Sequence, residues 1–414
     1  MHIRPRWLTL VVVLALALSA AACGSSSGGG SGNASCQGSP IKILTNTDLD
    51  TGASTYNPAP LYGAQAAAKA INATCGLGRP IEIVQCNSHS TAQGSTTCGQ
   101  TAVSEKVLAV AGGLAFSDNY ISVIAKQNIP ALPALGEFAQ EFSYQHSFPI
   151  DSGMTQLTAY AVAAANLGAK KVVLLNFQGP TASFFDSILD RAESSLGLEK
   201  LPDVLFPPTA TDMTAYATQA VSSGADAIQV IANPPQVVNF VKQLRSQGVD
   251  FTKTKVIVSG LDAQPSVIEQ LGPQADGLYQ VLGTASPDDT ANPGIQQYLS
   301  DLKANGTTIN GVNASELGVA GWTAIKIIAD AMKGATTFTP EELIKRLNSL
   351  PADFHTAYPA VPPFNFSTNA FPDNPMLSKM RIFSNLVSIG RIQDTKFVPL
   401  TKGYIRADQK TALN

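Results

Sequence analysis

Five cysteines, four histidines and several clustered carboxylates are the residues of this 414-residue chain that could carry chemistry. His89, His146 and His355 lie far apart without motif context. Beyond residue 40 there is no Gly-x-Ser-x-Gly, His-Glu-x-x-His, Gly-x-Gly-x-x-Gly or phosphate-loop pattern. The carboxylate pairs Asp48 with Asp50 and Asp288 with Asp289 read as solvated loop charges rather than an acid/base couple. The cysteines are not arranged as Cys-x-x-Cys, and only His89 is near them, which argues against zinc. Catalysis, a cofactor and a metal are therefore not expected, and the cysteines read as disulfides.

Cys23 stands apart from Cys36, Cys75, Cys86 and Cys98. Four cysteines in an exported chain form two bridges with three possible connectivities. Cys86 with Cys98 is favoured, because a strand end and the following helix lie close in a βα unit, and Cys36 with Cys75, which flank the first strand and helix. On the chain-entropy model the two contribute about 3 and about 4 kcal/mol.

The elements that must position these residues alternate between strand and helix. Residues 81–84 (IEIV) and 107–111 (VLAVA) are short apolar runs closed by turn signals, with a helical pattern carrying Cys98 between them. Such runs read as buried parallel strands with crossover helices. Residues 41–44 form the first strand and 61–72 the first helix. Ser117 or Asp118 is the expected N-cap of a helix at 120–127. Residues 128–136 form a proline-interrupted strand, and 155–167 a helix. The rhythm restarts at 170–176 and continues through strands at 225–231, 255–259 and 277–282, with helices at 213–223 and 236–247. Residues 316–332 carry the clearest apolar helical stripe, and Thr339 caps the next helix with Pro340 at its first position and Glu342 three residues on.

The first residues are an address. Arg4 and Arg6 precede an apolar run at 8–18 and the small residues Ala20, Ala21 and Ala22 before Cys23. The run is shorter than the ~20 apolar residues of a membrane span. Residues 23–35 are a Ser/Gly tether too poor in apolar residues to fold. This pattern resembles a bacterial lipobox, with Ala20 where Leu is usual, and implies lipid attachment at Cys23; the alternative is a plain secreted protein. The rest exceeds one core, so two lobes of ~150 to 200 residues are expected. The net charge of −3, without clustered Lys or Arg, excludes a nucleic-acid footprint.

The segments 63–72 (GAQAAAKAIN), 78–86 (GRPIEIVQC), 107–113 (VLAVAGG), 209–214 (TATDMT), 223–227 (SGADA) and 317–332, in this order and spacing, resemble the leucine/isoleucine/valine-binding type of exported solute-binding proteins of ABC importers, the type I periplasmic binding proteins. The resemblance runs from residue 40 to the C-terminus. It implies an α/β architecture of two doubly wound βα lobes joined by several crossovers, with a ligand cleft between them. The expected layout is a leader at 1–22, a lipid-anchored tether at 23–39, a first lobe at 40–152 plus 286–350, and a second lobe at 153–285 plus 351–414. It also implies a monomer held to the outer face of the bacterial membrane, with a small-molecule solute and ABC permease subunits as partners. A ligand sensor that signals without transport is the alternative.

In that family the ligand carboxylate meets hydroxyls and backbone amides after the third and fourth strands, and an acid of the second lobe holds the ammonium. A buried zwitterion requires both. By position this chain offers Phe116 and Ser117, then Ala134, Leu135 and Gly136, and the neighbourhood of Ala210 for the acid. Glu137 or Asp212 supplies charge only in a shifted alignment. The expected ligand is therefore apolar or aromatic, packed by Phe116, Leu135, Tyr56 and Phe177 and anchored by Asp48, Ser117 and Gln178. Asn233 and Asp262, in strand-end turns of the second lobe, complete the set.

Overall fold

The computed structural model describes residues 36–53 and 55–413. The leader 1–22, Cys23 and the tether as far as residue 35 lie outside the described residues.

The chain opens with β1 (Ile41–Thr47), α1 (Ala59–Thr74), β2 (Ile81–Asn87), α2 (Ala92–Ser104), β3 (Ala109–Ala111) and α3 (Asn119–Ile124). β4 (Ala131–Leu132) and β5 (Leu135–Gly136) follow, split by Pro133, whose missing N–H cannot continue a ladder. The first sheet has the order β2-β1-β3-β4, all parallel, with Ile41 opposite Ile81 and Leu44 opposite Val110. Asp118 stands at the expected N-cap position of α3, but its side chain makes no capping bond. The Asp118 carboxylate instead accepts from the Gln140 amide at 2.7 Å and its Nε2 at 3.1 Å, tying down α4 (Ala139–Ser143).

β6 (Asp151–Ser152) pairs with β5 and leads into α5 (Gly153–Asn166), which is buried from Met154 to Ala165. Next come β7 (Lys171–Phe177), α6 (Pro180–Ser195), β8 (Glu199–Lys200), β9 (Val204–Phe206), α7 (Thr214–Ser222), β10 (Ala227–Val230), α8 (Pro234–Ser246), β11 (Lys255–Ser259), α9 (Pro265–Leu271) and β12 (Tyr279–Leu282). The chain then adds α10 (Pro293–Asn305), α11 (Glu316–Met332), α12 (Pro340–Leu347), β13 (Leu386–Gln393), β14 (Lys396–Pro399) and β15 (Ile405–Arg406). The second sheet runs β14-β13-β12-β11-β10-β7-β8, parallel from β12 to β8, with β13 and β14 added antiparallel. Thr339 caps α12 as expected, its Oγ1 accepting from the Glu342 amide at 3.3 Å.

Each sheet has its own core. In the first lobe α1 lies directly on α11, because small residues line the contact. A Cβ at Gly63 would collide with the Gly318 carbonyl, and one at Gly321 with the carbonyls of Pro60 and Gly112. α11 also buries Ile325, Ile327 and Ile328, any of which would cost about 2 to 5 kcal/mol if cut to alanine. In the second lobe Val172, Leu174 and Ile257 pack under α5, and Val173, Val230, Val258 and Phe240 on the opposite face. The stretch expected to return to the second lobe at residue 351 first contributes Phe354, Tyr358, Phe364 and Phe366 to the first. The rings account for this: Phe354 and Phe364 pack edge-on, both lie tilted against Phe366, and Phe366 also meets Phe148 and Phe383.

Both bridges lie in the first lobe. Cys36 is joined to Cys75, with Cα atoms 5.2 Å apart, and Cys86 to Cys98, at 5.7 Å.

Candidate ligand-binding cleft

A cleft opens where the two lobes meet. The first lobe supplies Leu135 at β5 and Glu137 just after it. α5 presents Gly153, Met154, Gln156, Leu157 and Tyr160, one helical face at i, i+3, i+4 and i+7. Phe185 of α6, Ile231 after β10, and Ser259, Leu261 and Asp262 after β11 close it from the second lobe. Leu261 packs against Leu114, Leu135 and Leu317, so the lobes touch through an apolar floor.

The polar groups are few and acidic. Tyr160 Oη lies 3.0 Å from Asp262 Oδ2 and 2.9 Å from the Val230 carbonyl oxygen. The phenol is the donor to both, one proton shared between the Asp262 carboxylate and the Val230 carbonyl. Burial raises the Asp262 carboxyl to about 7, against the bonds from Ser259 and Tyr160 that favour its charge. Glu137 is pushed further, to about 8, first by burial and then by the charges of Asp262 and Glu141. Its Oε2 is sealed from water and has no hydrogen-bond partner. Neighbouring Glu141 does have partners: its carboxylate accepts from the Glu137 and Phe138 amides at 3.0 and 3.3 Å and from Tyr120 Oη at 2.9 Å. Among the described residues the cleft lining contains no Lys or Arg.

Of the residues singled out in the sequence, Leu135 and Asp262 line this cleft, as does Glu137, named there as a charge for a shifted alignment. Gly136 is one residue from Glu137, pairing with Ser152. Asp48, Phe116 and Ser117 sit together elsewhere, at the strand ends of the first sheet. Asp48 is 2% exposed and accepts from Ser88 Oγ, from the Ser90 amide at 2.8 Å and from the Phe116 amide at 3.0 Å. The Ser117 carbonyl accepts from Ser95 Oγ at 2.8 Å. Tyr56 is half-buried in the long turn after β1. The Phe177 ring stacks on Phe206 at 4.9 Å, Gln178 is exposed, and the Asn233 amide donates to Gln236 Oε1 at the start of α8. Asp212 is exposed and accepts from the Thr214 amide at 2.9 Å ahead of α7, so the region near Ala210 brings no acid to the cleft. Gln156, Tyr160, Phe185, Ile231 and Ser259 were not anticipated. The face shared by Gly153, Gln156, Leu157 and Tyr160 is the one signal that could have found the helical part of the lining.

A family model described as periplasmic binding protein matches residues 40–384. The chain belongs to the periplasmic binding protein family. No curated protein matches it in sequence. Several solved structures share its fold. An ABC-transporter solute-binding protein from R. palustris, in complex with 4-hydroxybenzoate, superposes with a TM-score of 0.73 at 18% identity, covering 90% of this chain and 98% of its own. The leucine-binding protein LivK from Thermotoga maritima gives 0.69 at 19% identity, covering 88% and 99%. The branched-chain amino acid binding protein LivJ from Streptococcus pneumoniae, in complex with isoleucine, gives 0.71 at 18% identity, covering 89% and 100%. The cleft of this periplasmic binding protein carries two acids, Glu137 and Asp262, among mostly apolar residues.

Proposed function

We propose that this protein is an extracytoplasmic solute receptor that closes two lobes on a small molecule and delivers it to the permease of an ABC importer. In this reading it works as a monomer anchored through a lipid on Cys23, and it binds its solute without converting it. The solute carries a protonated amine on an apolar body. The observation that carries the ligand class is the acid pair: Glu137 has an oxygen with no donor and Asp262 faces it across a lining without cations. An ammonium answers both groups, because a buried carboxylate is stable only when paired and hydrogen-bonded. Leu135, Met154, Leu157, Phe185, Ile231 and Leu261 suit an aliphatic or aromatic body. The isoleucine bound by LivJ has such a group, whereas the 4-hydroxybenzoate of the R. palustris protein has a carboxylate and no amine.

A thermal-shift screen of aliphatic and aromatic amines, branched-chain amino acids and hydroxybenzoates tests this. A solute at a hundred times its Kd stabilises the folded state by about 2.7 kcal/mol. Amine-bearing compounds should raise the melting temperature and benzoates should not. A shift produced by benzoates alone would overturn the assignment. Mass spectrometry of the membrane-extracted protein checks the lipid on Cys23.

A further inference from the structure

The loop 259–262 has two faces. Ser259, Leu261 and Asp262 line the cleft, whereas Gly260 lines a separate small cavity. Ile268 of α9, Gln280 and Leu282 of β12 and Phe397 of β14 form its body. Ser286, Pro287 and Asp288, from the crossover after β12, and Glu316, the first residue of α11, complete it. Both lobes thus contribute walls.

Two carboxylates meet this cavity in different states. Asp288 is occupied, accepting from Lys396 Nζ and from the Phe397 amide, each at 3.0 Å. Glu316 is 3% exposed, and its Oε2 accepts from the Gly283 amide at 3.0 Å, but its Oε1 has no hydrogen-bond partner. A Cβ at Gly260 would collide with that oxygen, so the bare glycine leaves it room. The titratable group nearest to Glu316 is another acid, Asp151 of β6, whose carboxylate lies over Gly283 and is held by Gln156 Nε2 at 2.8 Å. Burial and the charge of Asp151 keep the Glu316 carboxyl protonated well above the ordinary range.

We propose that this rear cavity is a second ligand site, which takes a small primary amine with a compact apolar body. The ammonium meets Glu316 Oε1, and the body lies among Ile268, Leu282 and Phe397. Lys396 on Asp288 displays the same ammonium–carboxylate pairing at the rim. As the amine binds, Glu316 gives its proton to solvent, so each binding event releases one proton. Because Gly260 is bonded to Ser259 and Leu261 and lies two residues from Asp262, an amine in the rear cavity and a solute in the cleft press on one loop, and each alters the affinity of the other by the same factor.

Calorimetry with benzylamine, on purified whole protein carrying Glu137→Gln and Asp262→Asn, tests the site without the charges of the main cleft. One equivalent should bind, with proton release visible as a dependence of the heat on buffer ionisation enthalpy. Adding Glu316→Gln should weaken binding at least tenfold and abolish the proton release. Ile268→Phe fills the cavity without touching its charge and should weaken binding similarly, which keeps the test open if Glu316→Gln does not fold. Failure of benzylamine to bind the doubly substituted protein, or binding indifferent to Glu316→Gln or Ile268→Phe in folded protein, removes the rear site. Solute binding unchanged by Glu137→Gln and Asp262→Asn would instead overturn the cleft assignment and leave the rear site standing.

Discussion

Asp48 is a buried acid of the first lobe and Glu137 a half-buried one with an oxygen sealed from water, and they have opposite surroundings. Asp48 is surrounded by donors: a serine hydroxyl and two backbone amides reach it from two different loops. Glu137 has an oxygen that nothing in the protein reaches, and its nearest charges are negative. A buried acid whose acceptors are filled holds loops together, because removing it strands the donors. A buried acid left open is a cost the fold carries, and in a cleft that cost is relieved by a ligand's donor.

The largest effect expected is from Asp48→Ala. It leaves the Ser90 and Phe116 amides without acceptors, at about 1 to 3 kcal/mol for each buried donor, so denaturant unfolding should show a loss on the order of 3 kcal/mol. Solute affinity of the folded fraction should stay within about threefold, about 0.6 kcal/mol. Unchanged stability with lost affinity would turn the comparison around and make Asp48 a ligand group.

Next, Glu137→Gln together with Asp262→Asn should weaken solute binding by about 10- to 100-fold, or about 1.4 to 2.7 kcal/mol, with the melting temperature unchanged or higher. A fall in both would mean that the pair is structural, like Asp48.

A smaller effect follows from pH. The cleft acids must be ionised to hold an ammonium, and their carboxyls titrate at about 7 and about 8. Affinity measured by calorimetry should therefore rise by about tenfold between roughly pH 6 and pH 8. An affinity that falls over this interval would point to an acidic solute.

The smallest effect is on the ligand-free protein. Glu137 has a folded-state value of about 8 against an ordinary 4.5, so its favourable contribution is complete below about pH 4.5 and is lost as pH rises through about 8. Glu137→Gln should stabilise the protein by about 1 kcal/mol at pH 8 and by little at pH 5. Equal effects at the two pH values would show that the carboxyl is solvated after all.

The fold was legible where apolar runs are short and bounded. The strands at 41–44, 81–84 and 255–259 and the helix at 316–332 stand where periodicity put them. α6, α9 and α10 were passed over, although each begins with a proline at its first turn, a start signal available in the sequence. The cleft was harder to read. α5 is buried nearly all round, so its pattern does not tell which side faces a neighbour and which faces a cavity. Tyr160 and Gln156 were hidden for that reason. Phe116 and Ser117 occupy a strand-end turn where ligands are common, but what a turn residue touches depends on loops distant in sequence, here the one carrying Asp48.

Under the proposed anchoring through Cys23, the bond from Cys36 to Cys75 also has a mechanical meaning. Tension entering at residue 36 is passed through sulfur to the C-terminal end of α1, and β1, which begins only at Ile41, is spared from being peeled out of the middle of its sheet. In that proposal the first lobe is the mounted part of the machine and the second its moving jaw, and the stroke of closure falls to the lobe without bridges.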